Sequence, residues 1–130
     1  MATIKELLAA ANQAVPRVAP DEARKMMEAG AMVVDVRDAP ELQQGGKIKG
    51  AKHVSRGMLE FRADPESPYH DPAFDRSKPV LLYCASGGRS ALAGKALKEL
   101  GYEKVYNLGA FKDLAEAGLA VEQPDGGVRR

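Results

Sequence analysis

The sequence has a single cysteine, Cys84. A disulfide framework within the chain is thereby excluded, and a lone thiol fits a reducing compartment. Charge of one sign is also missing. Nineteen basic and eighteen acidic residues leave a formal net charge of +1, so neither a nucleic acid nor a membrane surface is implied as a partner. No apolar stretch approaches the length that crosses a bilayer. The first residues, Met1 to Ala11, lack the basic start and uninterrupted apolar run of a signal peptide, so a cytoplasmic protein is expected. The two histidines, His53 and His70, have no Cys or acidic cluster at metal-ligand spacing. Both read as structural or exposed, and no metal is expected. There is no internal repeat and no low-complexity tract. What remains is a 130-residue chain, long enough for one domain whose core stands without staples.

The stretch Val80-Leu81-Leu82-Tyr83-Cys84-Ala85-Ser86-Gly87-Gly88-Arg89-Ser90 organises the rest. Its apolar start is too short for a globular helix and suits a strand buried on both faces. From Ser90 the pattern becomes helical, with Leu92, Ala96, Leu97 and Leu100 expected on one face and Gly101 as the stop. Cys84 therefore stands where a strand ends, just before a loop that enters a helix. Free cysteines are among the most buried residue types, and a core role is the bland alternative. The loop argues against it. Gly87 and Gly88 allow backbone conformations closed to other residues, so amides can converge on one point, and the helix start adds positive potential. A thiolate is stabilised by such surroundings, and Cys84 reads as a nucleophile.

Other elements follow in order. Thr3 with Glu6 has the form of a capping box and predicts a leading helix over residues 4–12. Arg17 and Val18 read as a short edge strand, and Pro20 to Ala29 as a helix stopped by Gly30. Ala31 to Arg37 is a buried strand; Asp38, Pro40 and Glu41 open a helical turn. A brief strand near Val54, a small helix over 57–61, and a Pro-rich loop over 62–72 come next. Beyond the Cys84 helix lie a strand over 103–108 and a last helix over 109–117, closed by Gly118. Strands alternating with helices imply a mostly parallel five-stranded sheet with helices on both faces. In such sheets ligands bind beyond the carboxyl ends of strands, where Asp35, Arg56 and Cys84 all fall.

Four motifs together resemble the rhodanese family of sulfurtransferases: Asp35-Val36-Arg37 with Glu41, Gly46-Lys47-Ile48-Lys49-Gly50-Ala51, the Cys84–Ser90 loop, and Gly109-Ala110-Phe111. The resemblance covers residues 17–121. It departs at Lys47, where the family has histidine, at Ala110, where it has glycine, and at Leu114, often tryptophan. It implies a three-layer α/β rhodanese-like domain over 17–121, preceded by a helix and linker over 1–16 and followed by a flexible tail over 122–130. Cell-cycle phosphatases and arsenate reductases resemble the same fold but have a C-x5-R loop sized for a tetrahedral phosphate. Here Cys84 to Arg89 is C-x4-R, and the shorter ring suits the terminal sulfur of a persulfide.

The function this implies is ping-pong sulfur transfer through a Cys84 persulfide, from a small anionic donor such as thiosulfate to a thiol, a protein thiol or cyanide. The N–H groups of Ala85, Ser86, Gly87, Gly88 and Arg89 would hold the persulfide as an oxyanion hole holds charge. Arg89 is expected to face substrate, and Ser90 to cap the helix. Arg56 is either a receptor for the donor's anionic group or a plain surface arginine. Asp35 either lines the rim or pairs with a neighbouring amide or base. Arg37 and Glu41, four apart, read as a structural ion pair. No cofactor is required. The rivals are a persulfide carrier serving a protein partner and a phosphatase or arsenate reductase on the same fold.

Overall fold

The structure is a computed structural model that describes residues 1–124 and, as backbone, 128–129. In chain order its elements are α1 (Ile4–Ala14), α2 (Pro20–Glu28), β1 (Met32–Asp35), α3 (Ala39–Gly45), β2 (Lys47–Ile48) and β3 (Lys52–His53). A 3-10 turn (Arg56–Met58) leads into α4 (Leu59–Ala63), followed by β4 (Val80–Cys84), α5 (Gly88–Glu99), β5 (Val105–Ala110), α6 (Phe111–Glu116), β6 (Val121–Glu122) and β7 (Val128–Arg129).

Four parallel strands form the central sheet in the order β3-β1-β4-β5. The expected Arg17–Val18 edge strand is reduced to a single parallel bridge from Arg17 to Asn107 on β5. All five residues of β4 are buried, as befits an interior strand covered on both faces. One face packs Leu82 and Cys84 with Leu59, Ala93 and Leu97 from α4 and α5, joined by Val15 just after α1. The other packs Leu81 and Tyr83 with Ala23 of α2 and Leu114 of α6. Helices thus cover both faces, and the parallel strands put the ends of β1, β3 and β4 on one rim. Between β4 and β5 the register slips after Leu82, so Tyr83 pairs with Gly109 and Cys84 with Ala110. A slip of this kind re-aims the strand end beside the rim.

Three expectations are corrected. On α5 the buried face is Ser90, Ala91, Ala93, Gly94 and Leu97, while Leu92, Ala96 and Leu100 are only half-buried. The reason is crowding: α5 lies against both the sheet and α1, and small residues permit that close approach. At the other end of the chain, Glu122 is not in a free tail. β6 pairs antiparallel with β2 and β7, a small second sheet in which Lys47 makes an ion pair with Glu122. The rest of the tail expectation, at residues 125–127 and 130, lies outside the described residues. Finally, α1 runs two residues past its expected end, to Ala14. Its capping box is present, with Glu6 N–H donating to Thr3 Oγ1 at 3.1 Å and Thr3 N–H to Glu6 Oε1 at 3.0 Å. The helix is seated on α5 through the fully buried Ala11.

Among the described residues no helix is long and apolar enough to cross a membrane.

Candidate active site

Cys84 ends β4 and Gly88 begins α5, leaving only Ala85, Ser86 and Gly87 to turn the chain. Gly87 makes that turn possible with φ of 96°, in the left-handed region where a Cβ is strained. The turn aims amides back at the sulfur: Gly87 N–H donates to Cys84 Sγ at 3.0 Å. Ser90 Oγ lies 3.4 Å from the same sulfur. Burial pushes the Cys84 thiol up, but the Ser90 hydroxyl and the N–H groups of Ser90, Ser86 and Gly87 outweigh it, so its pKa falls below the ordinary thiol value. Cys84 is fully buried in the free protein, whereas Ala85 and Ser86 at the apex of the loop are exposed.

Ser90 is not the helix cap expected of it. Gly87 occupies the cap position, and Ser90 is the third residue of α5, fully buried and turned toward the sulfur. Behind it stands Asn107, also fully buried, on β5. Its Nδ2 donates to the Gly87 carbonyl at 3.0 Å, and its Oδ1 accepts from Ser90 Oγ at 2.8 Å and from Gly109 N–H at 2.9 Å. Asn107 thereby pins both the cap of α5 and the end of β5. Sequence reading passed over it, although a carboxamide in the middle of an apolar strand needs buried partners and is itself a signal.

The arginines are arranged differently from expectation. Arg37 does not pair with Glu41. It makes a two-pronged bond to Asp35, with Nε 3.0 Å from Oδ1 and Nη2 2.7 Å from Oδ2, and its Nη2 also donates to the Gly46 carbonyl. Its guanidinium lies 4.3 Å from the centroid of the Phe111 ring. Asp35 is fully buried, with both oxygens engaged by the Arg37 guanidinium and Oδ1 also accepting the Arg37 N–H. Glu41 instead takes Arg89, at 2.8 and 2.9 Å. The Arg89 guanidinium, helped by the Asp38 N–H, overcomes desolvation and holds the Glu41 carboxyl well below its usual range, at about 2. Arg89 is so turned toward the start of α3 and remains only partly exposed. Arg56 stands just beyond the rim, where its N–H donates to the Val36 carbonyl at 3.2 Å, and its side chain is held by Glu60 at 2.8 Å. Of the expected site residues, the structure thus gathers Ser86, Gly87 and Ser90 around Cys84, and gives Arg56, Arg89 and Asp35 carboxylate or guanidinium partners of their own.

His53 binds the Arg37 carbonyl through Nε2 at 2.7 Å. Among the described residues no group of His, Cys, Asp and Glu is placed to hold a metal ion.

Comparison with known proteins agrees with this geometry. The Rhodanese-like domain family model matches residues 19–117. The thiosulfate sulfurtransferase GlpE of Pseudomonas paraeruginosa is 34% identical over 98 residues, covering 74% of this chain and 80% of that protein. Among solved structures, a Rhodopseudomonas palustris protein of unknown function, described as a possible tyrosine phosphatase, superposes with a TM-score of 0.85 at 37% identity, covering 94% of this chain and 96% of that one. The polysulfide-sulfur transferase homodimer of Wolinella succinogenes superposes with a TM-score of 0.71 at 36% identity, covering 88% and 83%. A family match that takes in the β1 strand, the Cys84 loop and the Asn107 strand alike settles the matter at that level: the chain belongs to the rhodanese-like domain family.

Proposed function

We propose that this chain is a sulfurtransferase that holds sulfane sulfur as a persulfide on Cys84. The observation that carries the reading is the convergence of hydroxyl and backbone donors on a single buried sulfur, which lowers the thiol pKa without a general base. The Cys84 thiolate attacks the outer sulfur of a donor such as thiosulfate. A bond forms between the two sulfurs, the donor's S–S bond breaks, and sulfite leaves with the electron pair. The new terminal sulfur carries the negative charge, and the loop amides that face Sγ hold it. An acceptor thiolate or cyanide then attacks that sulfur, and the Cys84 thiolate departs with its electrons. The names of the Pseudomonas and Wolinella relatives support sulfur transfer as the chemistry. A protein thiol as acceptor would make the chain a carrier within the same mechanism. A reducing cytoplasm would suit it, because the thiolate must stay free of disulfides.

The name of the Rhodopseudomonas relative raises a phosphatase as the second reading. The C-x4-R spacing and the engagement of Arg89 by Glu41 weigh against it, since a phosphatase needs a wider ring and a guanidinium free to clasp phosphate.

Intact-mass spectrometry before and after thiosulfate tests the proposal. The expected result is a cyanide-reversible gain of about 32 Da, one sulfur, that the Cys84→Ser variant does not show. Absence of that adduct, together with Cys84-dependent hydrolysis of p-nitrophenyl phosphate, would give the site to oxyanion chemistry instead.

A further inference from the structure

We propose that Arg17 is the cation that receives the anionic group of the sulfur donor; this rests on the reading of Cys84 as the sulfur-accepting nucleophile. Arg17 lies far from the Cys84 loop in sequence, but the chain on either side of it is bonded to β5. Asn107 N–H donates to the Pro16 carbonyl at 2.9 Å, and Val18 N–H to the Asn107 carbonyl at 3.1 Å. From that fixed base the side chain lies over two glycines of the site. A Cβ on Gly87 would lie 3.2 Å from Arg17 Nη1. A Cβ on Gly109 would overlap Nη2 and lie 2.9 Å from Cζ. The same missing Cβ atoms therefore do two things. They permit the left-handed turns at both positions, and they leave the space that the guanidinium occupies against Gly87 and Gly109.

The ion pairs around the rim point the same way. Arg37 is taken by Asp35, Arg56 by Glu60 and Arg89 by Glu41. Among the described residues Arg17 has no carboxylate partner, and its side chain is exposed. A donor of the thiosulfate class presents a sulfonate-like group beside the sulfur under attack, and that group leaves with the electron pair of the broken S–S bond. A planar guanidinium with several donors suits it, and fixed positive charge offsets the negative charge that grows on the leaving group. Gly87 links the two functions, since one face of it meets Arg17 while its N–H donates to Sγ.

Iodoacetate and iodoacetamide alkylate a thiolate by the same displacement and differ in charge, so the ratio of their rates at Cys84 reads anion recognition without any sulfur transfer. For the full chain carrying Arg17→Gln, we expect that ratio to fall by about tenfold, the value of one charge-assisted hydrogen bond. The iodoacetamide rate should hold, and Arg17→Lys should keep most of the ratio. In steady state the same variant should raise the KM for thiosulfate and leave kcat/KM for a neutral thiol acceptor alone. An unchanged ratio overturns the proposal. So does an equal fall with both reagents, which would make Arg17 a mere support for Gly87. If wild-type protein takes no sulfur from thiosulfate while the ratio still drops, the sulfurtransferase reading fails and the anion-receiving role of Arg17 stands.

Discussion

Ser90 and Asn107 are bonded to each other at 2.8 Å, Oγ to Oδ1, although the same Ser90 hydroxyl lies 3.4 Å from Cys84 Sγ. A hydroxyl has one proton to give. With Cys84 as a neutral thiol, the proton goes to Asn107. With a thiolate, a charge-assisted bond to sulfur competes, and Asn107 Oδ1 keeps the Gly109 N–H as a donor. Ser90 is thus placed to donate to Asn107 or to Cys84 according to the charge on the sulfur.

Ser90→Ala removes a donor that favours the thiolate, so the Cys84 pKa should rise. The pH midpoint of iodoacetamide alkylation should move up. At neutral pH the rate should then fall several-fold, because less of the sulfur is ionised. Asn107→Asp should shift the same midpoint upward by a different route, placing a like charge near the sulfur and losing the donor to the Gly87 carbonyl. Asn107→Ala separates position from packing. It should cost about 1–3 kcal/mol in urea unfolding, since it strips the buried Gly109 N–H of its acceptor and leaves the Gly87 carbonyl with the Ala91 N–H alone. A midpoint in Ser90→Ala no higher than in wild type would remove Ser90 from the activation of Cys84.

Asp35 and Arg37 offer a prediction about stability rather than chemistry. Both side chains are almost wholly buried, at 0% and 5% exposure, and each answers the other's charge. Asp35→Ala leaves a guanidinium stranded between the Gly46 carbonyl and the Phe111 ring. Breaking such a pair by removing one partner costs about 3–5 kcal/mol. Chemical denaturation should show that loss, and the alkylation midpoint of whatever folded protein remains should stay at the wild-type value. A large change in that midpoint would return Asp35 to the site.

Glu41 carries a pH dependence whose sign can be worked out. Its folded pKa, about 2, is depressed below the ordinary 4.5 by the Arg89 guanidinium. Stability from the pair is therefore fully present above the unfolded value, and is lost as pH falls through the window from 4.5 toward 2. Glu41→Gln should be less stable than wild type at pH 6, and the two unfolding midpoints should converge as the medium is acidified through that window. Curves that stay parallel down to the lowest pH would show that the pair adds nothing.

Much of the architecture was readable because it is written locally. A capping box, glycine stops and short apolar runs put the strands and helices in the right order, and the Cys84 loop is one continuous segment. What sequence reading missed depends on who meets whom. Arg37 turns to Asp35, two residues away, and not to Glu41, because the end of β1 is buried and a buried cation takes the carboxylate that is buried with it. Glu41 is left for Arg89, 48 residues on. Helical periodicity picked out Leu92 and Leu100, but the inner face of α5 is set by how near the sheet and α1 approach, and small residues fill it. Asn107 and Arg17 meet the Cys84 loop through the fold alone: the apolar strand around Asn107 signals that it needs buried partners, but nothing beside either residue says which.

That close approach yields the last prediction. A Cβ on Gly94 would lie 2.8 and 2.9 Å from the two Cγ atoms of Val15 and 3.2 Å from Val105 Cγ1. In an exposed helix, Gly→Ala would add up to about 1 kcal/mol of helix propensity. Here the added methyl meets a β-branched side chain whose methyls cannot rotate clear, and overpacking of a tight core costs about 1–3 kcal/mol. Gly94→Ala should therefore destabilise the protein despite the gain in propensity. Val15→Ala alone should also destabilise, by opening a cavity at a side chain that is 1% exposed. Combined, the two should offset each other, the new methyl entering the space the valine leaves, with a coupling energy of about 1 kcal/mol in a double-mutant cycle read from urea midpoints. Simple additivity would mean that α1 and the segment after it yield easily, and that the helix is not held on α5 at this point.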